Sequence, residues 1–189
     1  MSLIKPGINL EEIKTVLVQV LNRAGNDKHS AFRFLTLNTV TDGFPNSRYV
    51  VLRKFKTGSK ELYIYTDYRS KKISEITENN LVSVLAYDKQ RRFQIKLRAK
   101  AYIHHQDEIA DGHWNSMNGG KESYNTEFRP GLKMNSLQNA LQMKADIDDK
   151  YFAVIRLEVA QAEILQLNSE GHIRAQFDFE ADKASFLVP

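Results

Sequence analysis

Residues 92 to 103, RFQIKLRAKAYI, constrain the fold more than any other stretch. Phe93, Ile95, Leu97, Ala99, Ala101 and Ile103 fall on one side of an extended chain, and Arg92, Gln94, Lys96, Arg98, Lys100 and Tyr102 on the other. Strict alternation over this length predicts a strand with one buried and one solvated face, which is the pattern of an antiparallel sheet. A strand of this kind needs neighbours that alternate in the same way, and the sequence supplies them. Strands are predicted over 32–37, 47–55, 61–66, 81–87, 151–167 (one strand or two) and 173–179, with the turn-rich TDGFPN at 41–46 and a hairpin loop at 56–60.

Helical patterns are fewer. Residues 9–24 carry Ile13, Val16, Leu17, Val20 and Leu21 on one face, with Asn9 and Glu12 spaced as a capping box and Gly25-Asn26 as the stop. Further helices are expected at 71–79, 107–117 and 136–148, with a polar loop over 118–135. Many antiparallel strands with few helices predict a mostly β (α+β) chain, a closed or split β-barrel with flanking helices. No long helices alternate with the strands, so a parallel sheet is disfavoured; neither G-x-G-x-x-G nor a Walker loop occurs.

Composition removes several function classes. The 189 residues include no cysteine, which excludes disulfides, thiolate catalysis and Cys-ligated metals. The five histidines show no ligand spacing, and no metal site is expected. There is no membrane-length apolar run and no secretory h-region at the N-terminus, so a cytoplasmic protein without a membrane partner is expected. A net charge of +4 mildly favours anionic partners. Single-stranded nucleic acid is disfavoured, because the basic face of 92–102 offers only Tyr102 for base stacking.

The segment TDYRSKKISEI, residues 66–76, poses a specific question. A strand ends and a helix begins, yet the first turn carries Lys71 and Lys72, preceded by Arg69, where the helix dipole already disfavours cations. Either these side chains are solvated and point away, or an anion belongs there. Ser70 can cap the helix; its hydroxyl, the free N–H groups and two ammonium groups together suit a phosphate. In RYVVLR, residues 48–53, period two puts Arg48 with Val50 and Leu52, and Arg53 on the opposite face with Tyr49 and Val51. An arginine in so apolar a strand needs a partner, either an internal carboxylate or a ligand phosphate.

The ordered series RYVVLR, LYIYTDYRSKKISEI, NNLVSVLAY and RRFQIKLRAKA resembles the pyridoxamine 5′-phosphate oxidase family of homodimeric, FMN-binding split barrels. The likeness spans roughly residues 30 to 105. It implies FMN as cofactor, with Arg48, Ser70, Lys71 and Lys72 at its phosphate. Tyr65 and Thr66 would line it, the strand Tyr49, Val50, Val51 and Leu52 would border the flavin, and Gln94 would hydrogen-bond it. Arg53 matches a lysine that faces the substrate phosphate in the oxidase proper.

Beyond 105 the pattern departs. The tyrosine–arginine–serine group that holds that phosphate has no match in GHWNSMNGGKESYNTEFRPG, and Leu165 and Gln176 stand near a family tryptophan and arginine. Asn135-Ser136 and Ser136-Leu137-Gln138 are weak stand-ins for a Gln-Ser pair that reaches the partner's FMN. The expectation is one FMN-binding domain over 1–189, made of a helical region (1–29), barrel core (30–105), helices and loop (106–150) and C-terminal strands (151–189). It would act as an FMN-dependent oxidoreductase on a small molecule other than pyridoxamine 5′-phosphate. No catalytic side chain is identified. A non-catalytic flavin- or haem-binding sensor or store of the same fold is the alternative.

Overall fold

The computed structural model describes residues 2–189. Eight antiparallel strands form one sheet: β1 (Phe34–Thr41), β2 (Phe44–Lys56), β3 (Glu61–Asp67), β4 (Leu81–Asp88), β5 (Phe93–His104), β6 (Phe152–Gln166), β7 (Ile173–Asp178) and β8 (Lys183–Leu187). Their spatial order is β3-β2-β1-β4-β5-β6-β7-β8, and β3 also pairs with β6. That extra pairing closes the first six into a ring, while β7 and β8 continue outward from β6.

The split has a local cause. Strand β6 runs along β5 from Val154 to Gln166, but its first half, Phe152 to Glu158, takes β3 on its other side, and Gln161 to Gln166 takes β7. Between them Arg98 faces Gln161 and Ala99 faces Val159, so Ala160 is an extra residue with no partner on β5. A bulge bends a strand and increases its twist, and this one lies where β6 leaves the ring. The freed backbone is not wasted: Val159 N–H donates to Lys60 O at 3.2 Å and Phe179 N–H donates to Ala160 O at 2.8 Å.

The ring interior is filled by the apolar half of each alternating strand, including Leu35, Leu37, Val50, Leu52, Ile64, Val84, Phe93, Ile95, Leu97 and Ile155. Helix α1 (Leu10–Asn26), with both bonds of the Asn9–Glu12 capping box, adds Ile13, Leu17 and Leu21 to this core. It comes so close to β2 that a Cβ on Gly25 would lie 3.2 Å from Phe55 N. Helix α2 (Lys71–Glu78) adds Ile73 and Ile76. Helix α3 (Glu108–Asn115) builds a second, smaller cluster outside the ring, with Ala110 and Trp114 against Tyr63, Tyr124, Phe152 and Val154.

Two expectations need correction, and one strand is additional. The helix expected over 136–148 shrinks to one turn, α4 (Leu137–Ala140), because that segment buries none of its apolar residues; propensity without burial does not sustain a helix. The turn expected at 41–46 is two residues, Asp42-Gly43, both at positive φ, and β2 starts at Phe44. Strand β8 was not anticipated; Ala184 to Leu187 barely alternate, and its side chains are almost all exposed.

One part of the ring is left bare. Phe34, Tyr49, Leu85 and Tyr87 are exposed on its outside. Cross-strand pairs Phe34–Val51, Thr36–Tyr49 and Thr36–Leu85 make this a continuous patch across β2, β1 and β4. No helix of the described chain is long and apolar enough to cross a membrane.

Candidate functional site

The basic helix start divides into three side chains with three surroundings. Arg69 turns away from the helix. Its guanidinium bonds Asp67 at 2.7 Å, donates to the carbonyls of Thr126 and Glu127, and lies 3.5 Å from the centre of the Tyr151 ring. It staples the long 118–150 segment to the β3–α2 turn. Lys71 is exposed and reaches Glu75 only at 3.7 Å. Lys72 folds inward, donating to the hydroxyls of Thr66 at 2.8 Å and Ser70 at 3.1 Å.

Those two hydroxyls lie 3.2 Å apart and are buried. Ser70 has the extended backbone of an N-cap, but its side chain makes no capping bond; the expected cap is replaced by the contacts to Lys72 and Thr66. The first turn of α2 carries no acid. Burial lowers the pKa of Lys72, and the charge of Arg48 lowers it further. A lysine in this condition gains from any anion that arrives.

Arg48 meets the same place from β2. Nη1 donates to Thr39 Oγ1 at 2.6 Å and to Leu37 O at 3.3 Å, and Nη2 donates to Glu75 Oε2 at 2.5 Å. The Glu75 carboxylate is 2% exposed and also accepts from Thr39 Oγ1 at 2.6 Å. The internal carboxylate is therefore real. It occupies only part of the guanidinium, which carries five N–H groups. Thr39 and Glu75 escaped sequence reading. Their signals were a hydroxyl at an inward position in line with Leu35 and Leu37, and an acid four residues after Lys71.

The remaining expected residues are placed by strand parity. Val50 and Leu52 point into the core, whereas Tyr49 and Val51 face out, so only the backbone of this strand can border a ligand at the cradle. A register shift between Leu52 and Lys54 leaves Arg53 out of the β2–β3 pairing. Thr66 belongs to the cradle, but its neighbour Tyr65 points to the opposite side, toward α3.

There Tyr65 joins Arg53, as the alternation requires. Tyr65 Oη lies 2.9 Å from His113 Nδ1, and the Arg53 guanidinium sits 5.4 Å from the Tyr65 ring centre. Burial lowers the pKa of His113, aided by the charges of Lys54 and His104, and burial raises those of Tyr65 and Tyr124. Arg53 Nε is buried without a hydrogen-bond partner, and no carboxylate pairs with Arg53 among the described residues. Burial lowers the pKa of Arg33, and the charge of Arg53 adds to this; its Nη1 binds the last carbonyls of α1, Ala24 O and Gly25 O. This second cluster is cationic and aromatic.

Gln94 is in neither cluster. Arg48 faces Leu37, Leu37 faces Val84, and Val84 faces Leu97. Gln94 is on the outer face of β5, roughly 14 Å across the sheet from Arg48 and 10 Å along it. It lies beside Tyr87 and Leu165, and Leu165 faces Arg174, whose guanidinium binds Glu163 at 2.7 Å.

The family model described as "Pyridoxamine 5'-phosphate oxidase, FMN-binding domain" matches residues 11–105, half of the chain, and spans α1 to β5 with the whole cradle and Gln94. The chain belongs to this family. No curated protein matches it. Among solved structures it is similar to a pyridoxamine 5′-phosphate oxidase-related, FMN-binding protein from Nostoc punctiforme, at 18% identity and TM-score 0.75, covering 97% of this chain and 100% of that one. PhzG from Burkholderia lata, solved with tetrahydrophenazine-1-carboxylic acid, is 21% identical with TM-score 0.73, covering 94% and 92%. A protein from Listeria innocua described as a putative pyridoxamine 5′-phosphate oxidase is 18% identical with TM-score 0.54, covering 80% and 97%. At these identities the likeness carries the fold, the split barrel expected from the alternation.

The cofactor of the matched domain is FMN, and the cradle suits its phosphate. Lys72 bonds only hydroxyls, Ser70 leaves the helix N–H groups uncapped, and Arg48 keeps donors to spare. The family match ends at His105, so α3, His113 and Tyr124 lie beyond it. Among the described residues no cluster of three His, Asp or Glu could hold a metal ion.

Proposed function

We propose that this chain is an FMN-dependent oxidoreductase acting on a small anionic molecule, with the FMN phosphate held by Arg48, Ser70, Lys71 and Lys72. The observation that carries the reading is Lys72, a desolvated ammonium bonded to two buried hydroxyls at a helix start without acids. Lys72 donates to both oxygens, and the Ser70 hydroxyl hydrogen can turn from Thr66 Oγ1 to a phosphate oxygen while that of Thr66 reaches Asp67 O at 3.4 Å. The N–H groups of the first turn and the α2 dipole add to this.

FMN supplies hydride acceptance; the chain supplies position and charge. Thr66 serves the phosphate end, and the backbone of Tyr49 to Leu52 borders the flavin. Arg53 and Tyr65 face the other way, where Arg53 lacks a carboxylate. Its Nε is buried without a partner, and a buried donor gains from an acceptor, so the substrate brings a negative group to it. His113, kept neutral by burial, shares a hydrogen bond with Tyr65 and fixes its hydroxyl.

The assembly is a homodimer. Gln94 lies on the outer face of β5 beside Tyr87, and the bare patch of Phe34, Tyr49, Leu85 and Tyr87 supplies an apolar surface for a second copy.

The decisive measurement is the visible spectrum of the purified protein, followed by anaerobic addition of small carboxylates and phosphate esters. Twin flavin bands that bleach with one of these compounds, and a particle of twice the chain mass, are expected. A Soret band or a colourless protein that does not take up FMN refutes the cofactor assignment. Flavin bands that no compound of either class bleaches favour the store or sensor. A monomer that binds FMN tightly refutes the shared site.

A further inference from the structure

The cradle contains one residue that ought to oppose a phosphate. Glu75 places a carboxylate, 2% exposed, against the arginine that the phosphate needs. A buried ion pair is poor evidence of added stability, since desolvation of both charges cancels most of the attraction. Its geometry suggests another use. Three of the five Arg48 N–H groups are committed, to Leu37 O, Thr39 Oγ1 and Glu75 Oε2. Thr39 closes the triangle by donating its own hydrogen to Glu75 Oε2. The guanidinium plane is thereby fixed, leaving Nε–H and the second Nη2 hydrogen. Neither Arg48 nitrogen is among the buried side-chain atoms without partners, which are Thr41 Oγ1, Arg53 Nε and Asn168 Nδ2 among the described residues. Nε, which makes no hydrogen bond, therefore keeps access to solvent, and the second Nη2 hydrogen is uncommitted.

Charge points the same way. Arg48, Lys71 and Lys72 carry three positive charges, and Glu75 removes one. The remainder equals the charge of a phosphate monoester dianion, the form above a second pKa of about 6.

We propose that Glu75 is a positioning residue of the cofactor site: with Thr39 it holds Arg48 so that its two free donors meet the terminal phosphate, and it sets the cradle's charge to that of a phosphate monoester. The inference rests on the FMN reading above. It makes Glu75 a determinant of selectivity for FMN over riboflavin, although it touches neither.

The test is fluorescence titration of the full-length apo-protein with FMN and with riboflavin. Glu75→Gln keeps an acceptor but removes the charge that fixes Arg48. FMN affinity should fall about 10- to 100-fold, as expected when one charge-assisted bond loses its geometry. Riboflavin affinity should stay within about threefold. In the Arg48→Ala background the same change should add almost nothing, because the residue it positions is gone. A structural role alone would weaken both ligands together and would persist in that background. Equal losses for both ligands, losses that multiply independently with Arg48→Ala, or tighter FMN binding by Glu75→Gln each overturn the proposal.

If Glu75→Gln fails to fold, Thr39→Val removes the other arm of the triangle while keeping the ion pair. A selective loss of FMN supports the positioning role, and unchanged selectivity overturns it. The two readings fail separately. Arg48→Ala that leaves the FMN-to-riboflavin ratio unchanged refutes the phosphate cradle itself. Arg48→Ala that changes the ratio, with Glu75→Gln that does not, refutes only the role of Glu75.

Discussion

Replacing Lys72 by methionine should move two properties in opposite directions. The side chain is half-buried, and burial lowers its pKa from the ordinary 10.5. An amine depressed in this way contributes stability only above that ordinary value, and the contribution is lost as pH falls through the folded value. At neutral pH the ammonium is thus a cost to the protein without cofactor. Methionine keeps the stem and removes the charge, while Thr66 and Ser70, 3.2 Å apart, remain able to bond each other. The apo-protein should gain about 0.5–2 kcal/mol. FMN binding should suffer. Of three ammonium hydrogens two are held by hydroxyls, leaving one for a phosphate oxygen at about 1.5–3 kcal/mol. The hydroxyls also lose the donor that orients them. A fall of about 10- to 300-fold in FMN affinity follows, with riboflavin nearly unchanged. Thermal unfolding of the apo-protein and flavin fluorescence titration measure the two. An apo-protein weakened by the substitution, or equal losses for the two flavins, refutes the reasoning, because Lys72 would then be a scaffold residue.

FMN affinity should follow a bell in pH, falling below about 6 as the phosphate becomes a monoanion, and falling again on the alkaline side, before the ordinary lysine range, as Lys72 loses its proton; riboflavin titrated over the same range should show neither limb. Glu61 is opposed by burial, yet bonds from Ser59, Tyr63 and Arg156 win and hold its pKa at about 2 rather than 4.5. Its stabilisation is full above 4.5 and disappears as pH falls toward 2, so Glu61→Gln should cost about 1.5–3 kcal/mol at pH 7 and flatten the acid limb of a denaturation series. Oxidation of pyridoxamine 5′-phosphate should be slow or absent, because Arg53 is the one donor to its phosphate that can be assigned; oxygen-dependent pyridoxal 5′-phosphate formation at ordinary enzyme rates overturns this.

Much of the ring was legible because both faces of each strand were distinct. In β5 the buried residues Phe93, Ile95, Leu97, Ala99 and Ala101 alternate with polar ones, and one face on the core fixes register. The same logic located α1, whose capping box is local chemistry. What depends on distant partners was not legible. Nothing at Glu75 announces Arg48, 27 residues earlier, or Thr39, 36 earlier. His113 lies 48 residues from Tyr65, on a helix whose own pattern marks only Ala110 as core. Arg69 stands beside the two lysines in sequence yet turns to Asp67, Thr126 and Glu127, because sequence gives its place but not its direction. The segment 118–150 carries little periodicity, and its anchor to the β3–α2 turn consists mainly of side-chain bonds to backbone carbonyls, which leave no trace in residue type.

Strand β2 ties these observations together. Arg48 and Arg53 are five residues apart, an odd number, so a two-residue period forces their side chains to opposite faces. One arginine enters a cradle closed by a carboxylate and hydroxyls of its own chain. The other lies against the Tyr65 ring, with no carboxylate pairing it among the described residues. On the proposed reading the first site balances a dianion that stays, and the second takes an anion that exchanges. The cradle is therefore built almost entirely from residues inside the segment that matches the family, Thr39 to Glu75. The proposed substrate side draws on His113 and Tyr124, which lie past its end. A chain can keep its cofactor and change its substrate by altering α3 and the segment after it, without disturbing any strand of the ring. Exchanging His113 or Tyr124 should accordingly change which anions reduce the flavin while leaving FMN affinity intact. Loss of FMN in either variant would show that the two faces of β2 are not independent.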